Sequence, residues 1–368
     1  VSEQNPEKVS EAGFFCPAFV GVRCLLLFAV LEGHYWFEAT SDVRVHPLTF
    51  AVPCFFVLSG YLISHTLFCY EDRPWKETFP AFYLRRALRI FPPFYAVLCL
   101  AHLVHGLPYL GWQASYLMNL KIFLLSAFEP AAFYEYIKAG DYSAIHFWSV
   151  DVEEQFYLLY PLFVAATYRG YRSAWLLAGI LLSIATRAYC RQEYHYAFYG
   201  GLTPVAGEYI LWGCLMAWQD RLGRLTWLRN SLTLYASSAL FLALVLQDKS
   251  YGRFAQWKPY HTQTLYAILL ALMIFALRHS PTSWAARILS WRPLGWIGRM
   301  SYGAYLVHAF LNPIVDALVR ALPWLAPFPV CPRAVAGPLV TLVGAALLWY
   351  GLEQPIEGWR RSLRPRSS

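Results

Sequence analysis

Apolar runs of roughly twenty residues, each closed by a short polar connection, recur along almost the whole of this chain. A helix that rises ~1.5 Å per residue needs about 20 mostly apolar residues to cross a hydrocarbon layer ~30 Å thick. Ten segments approach that length: Phe14 to Phe37, Pro47 to Tyr70, Ile90 to Gly106, Phe147 to Tyr168, Ser173 to Cys190, Ala197 to Trp218, Ser231 to Gln247, His261 to Leu277, Ser301 to Val319 and Ala334 to Leu352. An eleventh apolar stretch, Tyr116 to Phe128, is shorter and carries Asn119 and Lys121, which suits an interfacial or re-entrant piece. The pattern predicts an all-α integral membrane protein, a bundle of about ten transmembrane helices.

Composition agrees, since 58% of the 368 residues are hydrophobic and only 14% are charged. A soluble domain of this size has too little interior to hide that much apolar side chain. The net charge of +8 would suggest nucleic acid in a soluble protein, but here the Lys and Arg fall in short runs between spans. With the N-terminus placed in the cytoplasm they favour the inner connections by about two to one, the bias that sets topology. Both termini are therefore expected in the cytoplasm, with residues 1–13 and 353–368 as an acidic leader and a basic tail. The polar start lacks a cleavage-site pattern. The eight cysteines lie mostly inside apolar runs without ligand spacing, which argues against structural zinc and a disulfide framework, and no metal ligands are expected. One membrane domain, 1–368, is expected to account for the chain, with no internal repeat.

Ionisable side chains inside a span cost ~2.5–3.5 kcal/mol each on insertion scales, so they mark cavities or partners. The first span holds Arg23, Glu32 and His34. Arg23 and His34 are eleven positions apart, leaving them about 20° out of register and roughly 16 Å apart along one face. Glu32 lies nearly opposite. An imidazole can take a proton from an attacking hydroxyl and return one to a leaving thiolate, so His34 is either an acid/base or an interhelical hydrogen-bonding group. Glu38, one turn on, is placed to hold its tautomer. Arg23 suits either an anionic donor or developing oxyanion charge, or else anchors the helix by snorkelling.

After the second span, FYLRRALRIFPPFY places Arg85 and Arg89 on one helical face, with Arg86 pointing elsewhere. Such a basic cluster fits phosphates of a coenzyme A donor, or anionic lipid. HFWSVDVEEQFYLLYP puts His146 and Glu153 two turns apart, where Glu153 would either orient His34 or, with Asp151 and Glu154, complement a helix N-terminus capped by Ser149. Ser59 and Gly60 in FFVLSGYLIS suit close helix packing, and His308 in SYGAYLVH suits a cavity or an interhelical bond.

In order along the chain these segments resemble acyltransferase family 3, integral-membrane O-acyltransferases of polysaccharides, lipopolysaccharide, peptidoglycan, Nod factors and macrolides. Arg23 and His34 resemble that family's arginine, ten residues, histidine pattern. FFVLSGYLIS resembles its second-span phrase, and Arg85, Arg86 and Arg89 resemble its basic loop. His146, Trp148, Ser149, Glu153 and Phe156-Tyr157 resemble its tryptophan-serine-leucine phrase with a following glutamate, and SYGAYLVH and LEQP, with Glu353 and Pro355, its closing motifs. Val150-Asp151 departs from the usual leucine-serine pair, and no SGNH hydrolase-like extension is expected.

The resemblance implies a cytoplasmic acyl-CoA co-substrate, acetyl-CoA first among them, with no bound cofactor. His34 would be the base, Glu153 and Arg23 would share the chemistry, and Arg85, Arg86 and Arg89 would engage the donor. His146, Trp148, Ser149, Glu38 and His308 would support them. The acceptor would be a hydroxyl of a carbohydrate, an exopolysaccharide or its lipid-linked precursor, and the setting a bacterial inner membrane. The rival function is a secondary transporter of a glycan or lipid precursor, since intramembrane Arg, His and Glu also build proton-coupled pathways.

Overall fold

The computed structural model describes residues 16–40, 50–70, 74–138, 144–194, 197–247, 260–322 and 332–362. Among them the chain is helical throughout and has no strand. The helices are α1 (Pro17–Thr40), α2 (Ala51–Phe68), α3 (Trp75–His105), α4 (Leu110–Ala114), α5 (Met118–Phe128), α6 (Pro130–Lys138), α7 (Trp148–Ala166), α8 (Arg172–Glu193) and α9 (Thr203–Arg221). Then follow α10 (Ser231–Gln247), α11 (Tyr260–Arg278), α12 (Trp284–Leu289), α13 (Arg292–Arg299), α14 (Ser301–Val307), α15 (Asn312–Ala321), α16 (Pro332–Leu348) and α17 (Gln354–Ser362).

Six segments are long and apolar enough to cross a bilayer: Pro17–Tyr35, Ala51–Phe68, Trp75–His105, Arg169–Glu193, Ser301–Ala321 and Pro332–Trp359. Shorter apolar helices, Met118–Phe128, Ser231–Leu246 and Thr262–Arg278, join them. The exposed faces carry Leu103, Leu182, Leu232, Leu246 and Leu347, the outward surface of a helix bundle in lipid. The protein is an all-α integral membrane protein.

The ninth predicted span is broken. α14 stops at Val307, a 3₁₀ turn runs His308–Leu311, and α15 resumes at Asn312 with Pro313 in its first turn. The third span is longer than expected, because α3 runs through Pro80, Pro92 and Pro93 without ending. A proline removes an amide donor from the helix ladder, and in a bundle neighbouring side chains can take up freed carbonyls. Tyr302 of α14 donates to the Ile90 carbonyl in that stretch, at 3.3 Å. The arginine cluster therefore lies within α3 rather than in a connection between helices. The apolar piece Tyr116 to Phe128 contributes α5, packed on α7 through Asn119, whose amide N–H donates to the Asp151 carboxylate at 2.9 Å.

Close approach of α2 and α9 depends on two glycines. A Cβ on Gly60 would overlap the carbonyl oxygen of Ile210, and one on Gly213 would overlap that of Val57. Gly60→Val should therefore drive the helices apart and cost more than the ~1–3 kcal/mol of ordinary overpacking, since backbone cannot yield as a side chain does. The check is the yield of a monodisperse peak on gel filtration in detergent. A wild-type yield and melting temperature for Gly60→Val would refute this account of the α2–α9 contact.

Candidate functional site

A cavity of about 270 Å³ opens between α1, α2, α3, α7 and α14. Val52, Phe55, Phe56, Leu58 and Leu62 of α2 give it one apolar wall, while Arg23, Arg86, Arg89, Glu153 and Glu154 supply charge. The Glu153 carboxylate accepts a hydrogen bond from Ser59 at 2.6 Å and lies in the field of Arg23, Arg86 and Arg89. Ser59 thus faces the cavity while its neighbour Gly60 faces α9, so one dipeptide serves both site and packing. Arg23 is held on the opposite side, its Nε donating to Ser301 Oγ of α14 at 3.1 Å.

The three arginines of the basic cluster divide between the cavity and its surroundings. Arg86 and Arg89, one turn apart on α3, line the cavity, and Arg86 also lies 4.4 Å over the Tyr157 ring. Arg85 does not line it and lies 5.0 Å over Tyr70. Of the expected pair Arg85 and Arg89, only Arg89 lines this cavity, and Arg86, expected to point elsewhere, lines it with Arg89.

Along α1, eleven residues beyond Arg23, the His34 ring sits 4.8 Å from the His308 ring, and His146 sits 4.8 Å from His308 on the other side. The three imidazoles come from α1, the broken α14–α15 segment and the 3₁₀ turn Ile145–Phe147 before α7. His146 and Glu153 are therefore not two turns of a single α-helix, as expected. His34 does not line the cavity, and the described partner of Glu153 is Ser59 rather than His34. Glu38 lies outside the residues whose side chains are described. Among the described residues no three His, Cys, Asp or Glu side chains are arranged to hold a metal ion.

Cavity and histidines are joined by Tyr305 and Ser149, both of which line the cavity. Tyr305 Oη lies 2.6 Å from the His146 carbonyl and 2.7 Å from Ser149 Oγ. Ser149 is spent on this link and not on capping, since α7 has no side-chain cap. Trp148 packs edge-on to Phe56 and Phe198, outside the polar site.

Sequence reasoning passed over Ser301, Tyr302 and Tyr305 as site groups, took Glu154 only as a helix-terminal charge, and met Glu353 only within a motif. Glu353 ends a π-helical turn, Trp349–Glu353, and its buried Oε1 lies against Gly303. Arg89 and Arg23 act on its charge. A π turn inside an α-helix is frequently found at functional sites, but it leaves no sequence signature.

A second charged cluster lies apart from the cavity. Asp220 accepts from Tyr61 at 2.8 Å, pairs with His279 at 2.8 Å and Arg229 at 2.9 Å, and has His65 and Arg278 at 3.5 and 3.8 Å. It ties α2, α9 and α11 together.

An integral-membrane bundle that gathers carboxylates and arginines around a cavity, with three imidazoles packed together beside it, has the makings of a membrane enzyme. A sequence model of the acyltransferase domain of family 3 matches residues 18–350, and the chain belongs to that family. It is 25% identical over 362 residues to peptidoglycan O-acetyltransferase OatA of Listeria monocytogenes, covering 93% of this chain and 56% of that one. It is 28% identical over 320 residues to O-acetyltransferase OatA of Staphylococcus aureus, covering 80% of this chain and 50% of that one. The chain spans about half the length of the curated relatives it matches. No solved structure matches it.

Proposed function

We propose that this chain is a membrane O-acetyltransferase, taking an acetyl group from cytoplasmic acetyl-CoA and placing it on a hydroxyl of a cell-envelope carbohydrate in a bacterial inner membrane. The observation that carries the reading is the two-walled cavity joined through Tyr305 and Ser149 to the three histidines. Its arginines, Arg86 and Arg89, suit an anionic donor, and its apolar α2 wall suits a thin pantetheine arm. With both termini cytoplasmic, α1 leads from Arg23 on the donor side to His34 on the acceptor side. The acceptor hydroxyl attacks the thioester carbonyl, the C–S bond breaks, and the hydroxyl proton passes by way of His34 to the departing thiolate. Arg23 and the groups around Glu153 hold the donor in register and offset negative charge as it develops.

The relatives named for peptidoglycan make its glycan strand the first acceptor to try. Purified protein in lipid vesicles, given acetyl-CoA labelled in the acetyl group and soluble peptidoglycan fragments, should form base-labile labelled ester and release one thiol per ester. Movement of fragments across the vesicle membrane without thiol release would overturn the reading in favour of transport.

A further inference from the structure

The reaction above leaves His308 without a task, although it sits between the other two histidines. The His308 side chain is wholly buried. Its Nδ1 lies 2.6 Å from the Tyr305 carbonyl oxygen. A carbonyl only accepts, so Nδ1 carries the proton, and the neutral ring presents a bare lone pair at Nε2. That Nε2 is buried and has no hydrogen-bond partner among the described residues. An acceptor left so is costly, and native structures retain few without a purpose.

The surrounding backbone holds this arrangement. The helix breaks at His308, and the His308 carbonyl accepts from Tyr35 Oη at 2.8 Å, which also contacts Thr341 Oγ1 at 2.8 Å. Tyr35 follows His34 in α1, so one residue of that helix fixes the His308 backbone while its neighbour lies against the His308 ring. His146 is committed in a similar way, its Nε2 3.3 Å from the Leu306 carbonyl. His308 differs from His146 in that its acceptor nitrogen, Nε2, is buried without a partner among the described residues; His34 and His146 both lie 4.8 Å from its ring, and since His146 already donates to Leu306, His34 is the one left to donate to it.

We propose that His308 is the positioning residue of His34: its Nε2 accepts the N–H of His34, turning the other, bare nitrogen of His34 toward the acceptor hydroxyl. This rests on the acyl-transfer reading. It assigns to a second imidazole the part that a carboxylate plays in other acid/base pairs, and the bond closes as substrate fills the site, when catalytic hydrogen bonds tighten. No atom is gained or lost in this step. The hydroxyl proton goes to His34 and from there to sulfur, while the His34 N–H shared with His308 stays where it is.

Two amides separate this role from a structural one. His308→Gln puts a carbonyl acceptor near the place of Nε2, whereas His308→Asn keeps an N–H near the place of Nδ1 to bond the Tyr305 carbonyl. Each is purified in full length, checked for wild-type elution in detergent, and assayed in vesicles with acetyl-CoA and soluble peptidoglycan fragments. The proposal expects His308→Gln to stay within about tenfold of wild-type kcat and His308→Asn to lose on the order of 10²-fold, with KM for acetyl-CoA unchanged in both. Asn equal to or better than Gln, or both equal to wild type, overturns it. If both are inactive, His308→Ala is assayed with added imidazole: recovered kcat supports the acceptor role, and no recovery overturns it. A wild-type protein that transfers nothing overturns the acyl-transfer reading itself and this inference with it.

Discussion

Replacing His34 with alanine is expected to leave a protein that inserts and takes up donor normally but transfers acetyl about 10²–10⁴-fold more slowly, the usual contribution of a positioned general base. His34 is half-buried and packs against the ring of His308, whose backbone is held separately by Tyr35. The fit of α1 into the bundle is set elsewhere. A Cβ on Gly21 would overlap the Leu289 carbonyl, one on Gly298 would overlap that of Val20, and Arg23 is fixed to Ser301. KM for acetyl-CoA should therefore hold, because the cavity lining is untouched. The measurement is kcat and KM of both proteins in vesicles, normalised to inserted protein. Equal kcat would remove His34 from the chemistry, and a raised KM with unchanged kcat would move it to donor binding.

Much of the bundle was legible because a bilayer imposes length and polarity rules that a single sequence displays directly. Arg23 and His34 share a face by helical arithmetic, and both turn toward one segment: Arg23 meets Ser301 at its start and His34 meets His308 at its break. What the arithmetic lacks is the identity of the facing helix. Glu153 has the depth to reach several partners, and only the α2–α7 contact decides that Ser59 is the one described. Which of Arg85 and Arg86 joins Arg89 at the cavity is undecided by the sequence for the same reason, since i,i+3 and i,i+4 neighbours lie on almost the same face and the packing of α3 picks between them. The break at His308 has a local cue in Pro313, but a proline also sits quietly inside α3 at Pro92 and Pro93, so the cue does not discriminate.

The largest expected effect on stability falls outside the cavity, at Arg187 of α8 and Glu208 of α9. Their side chains are 2% and 0% exposed and form an ion pair, and Arg187 also donates to Thr264 Oγ1 of α11 at 2.9 Å. Glu208→Ala leaves a buried guanidinium without its carboxylate, and a buried pair broken on one side costs ~3–5 kcal/mol. Thermal unfolding in detergent should show a large fall in melting temperature for Glu208→Ala, with the fraction that remains folded still transferring acetyl at the wild-type rate, because neither residue lines the cavity. The double variant Arg187→Met, Glu208→Leu removes both charges and keeps much of the volume, so most of the loss should return. Recovery in the double variant would mean that the pair adds little net stability and serves to select the α8–α9–α11 register, which two charges buried in an apolar bundle do by penalising every arrangement that separates them. A double variant as unstable as Glu208→Ala would instead locate the cost in lost packing and the Thr264 bond, and a single variant as stable as wild type would mean that the guanidinium finds another acceptor.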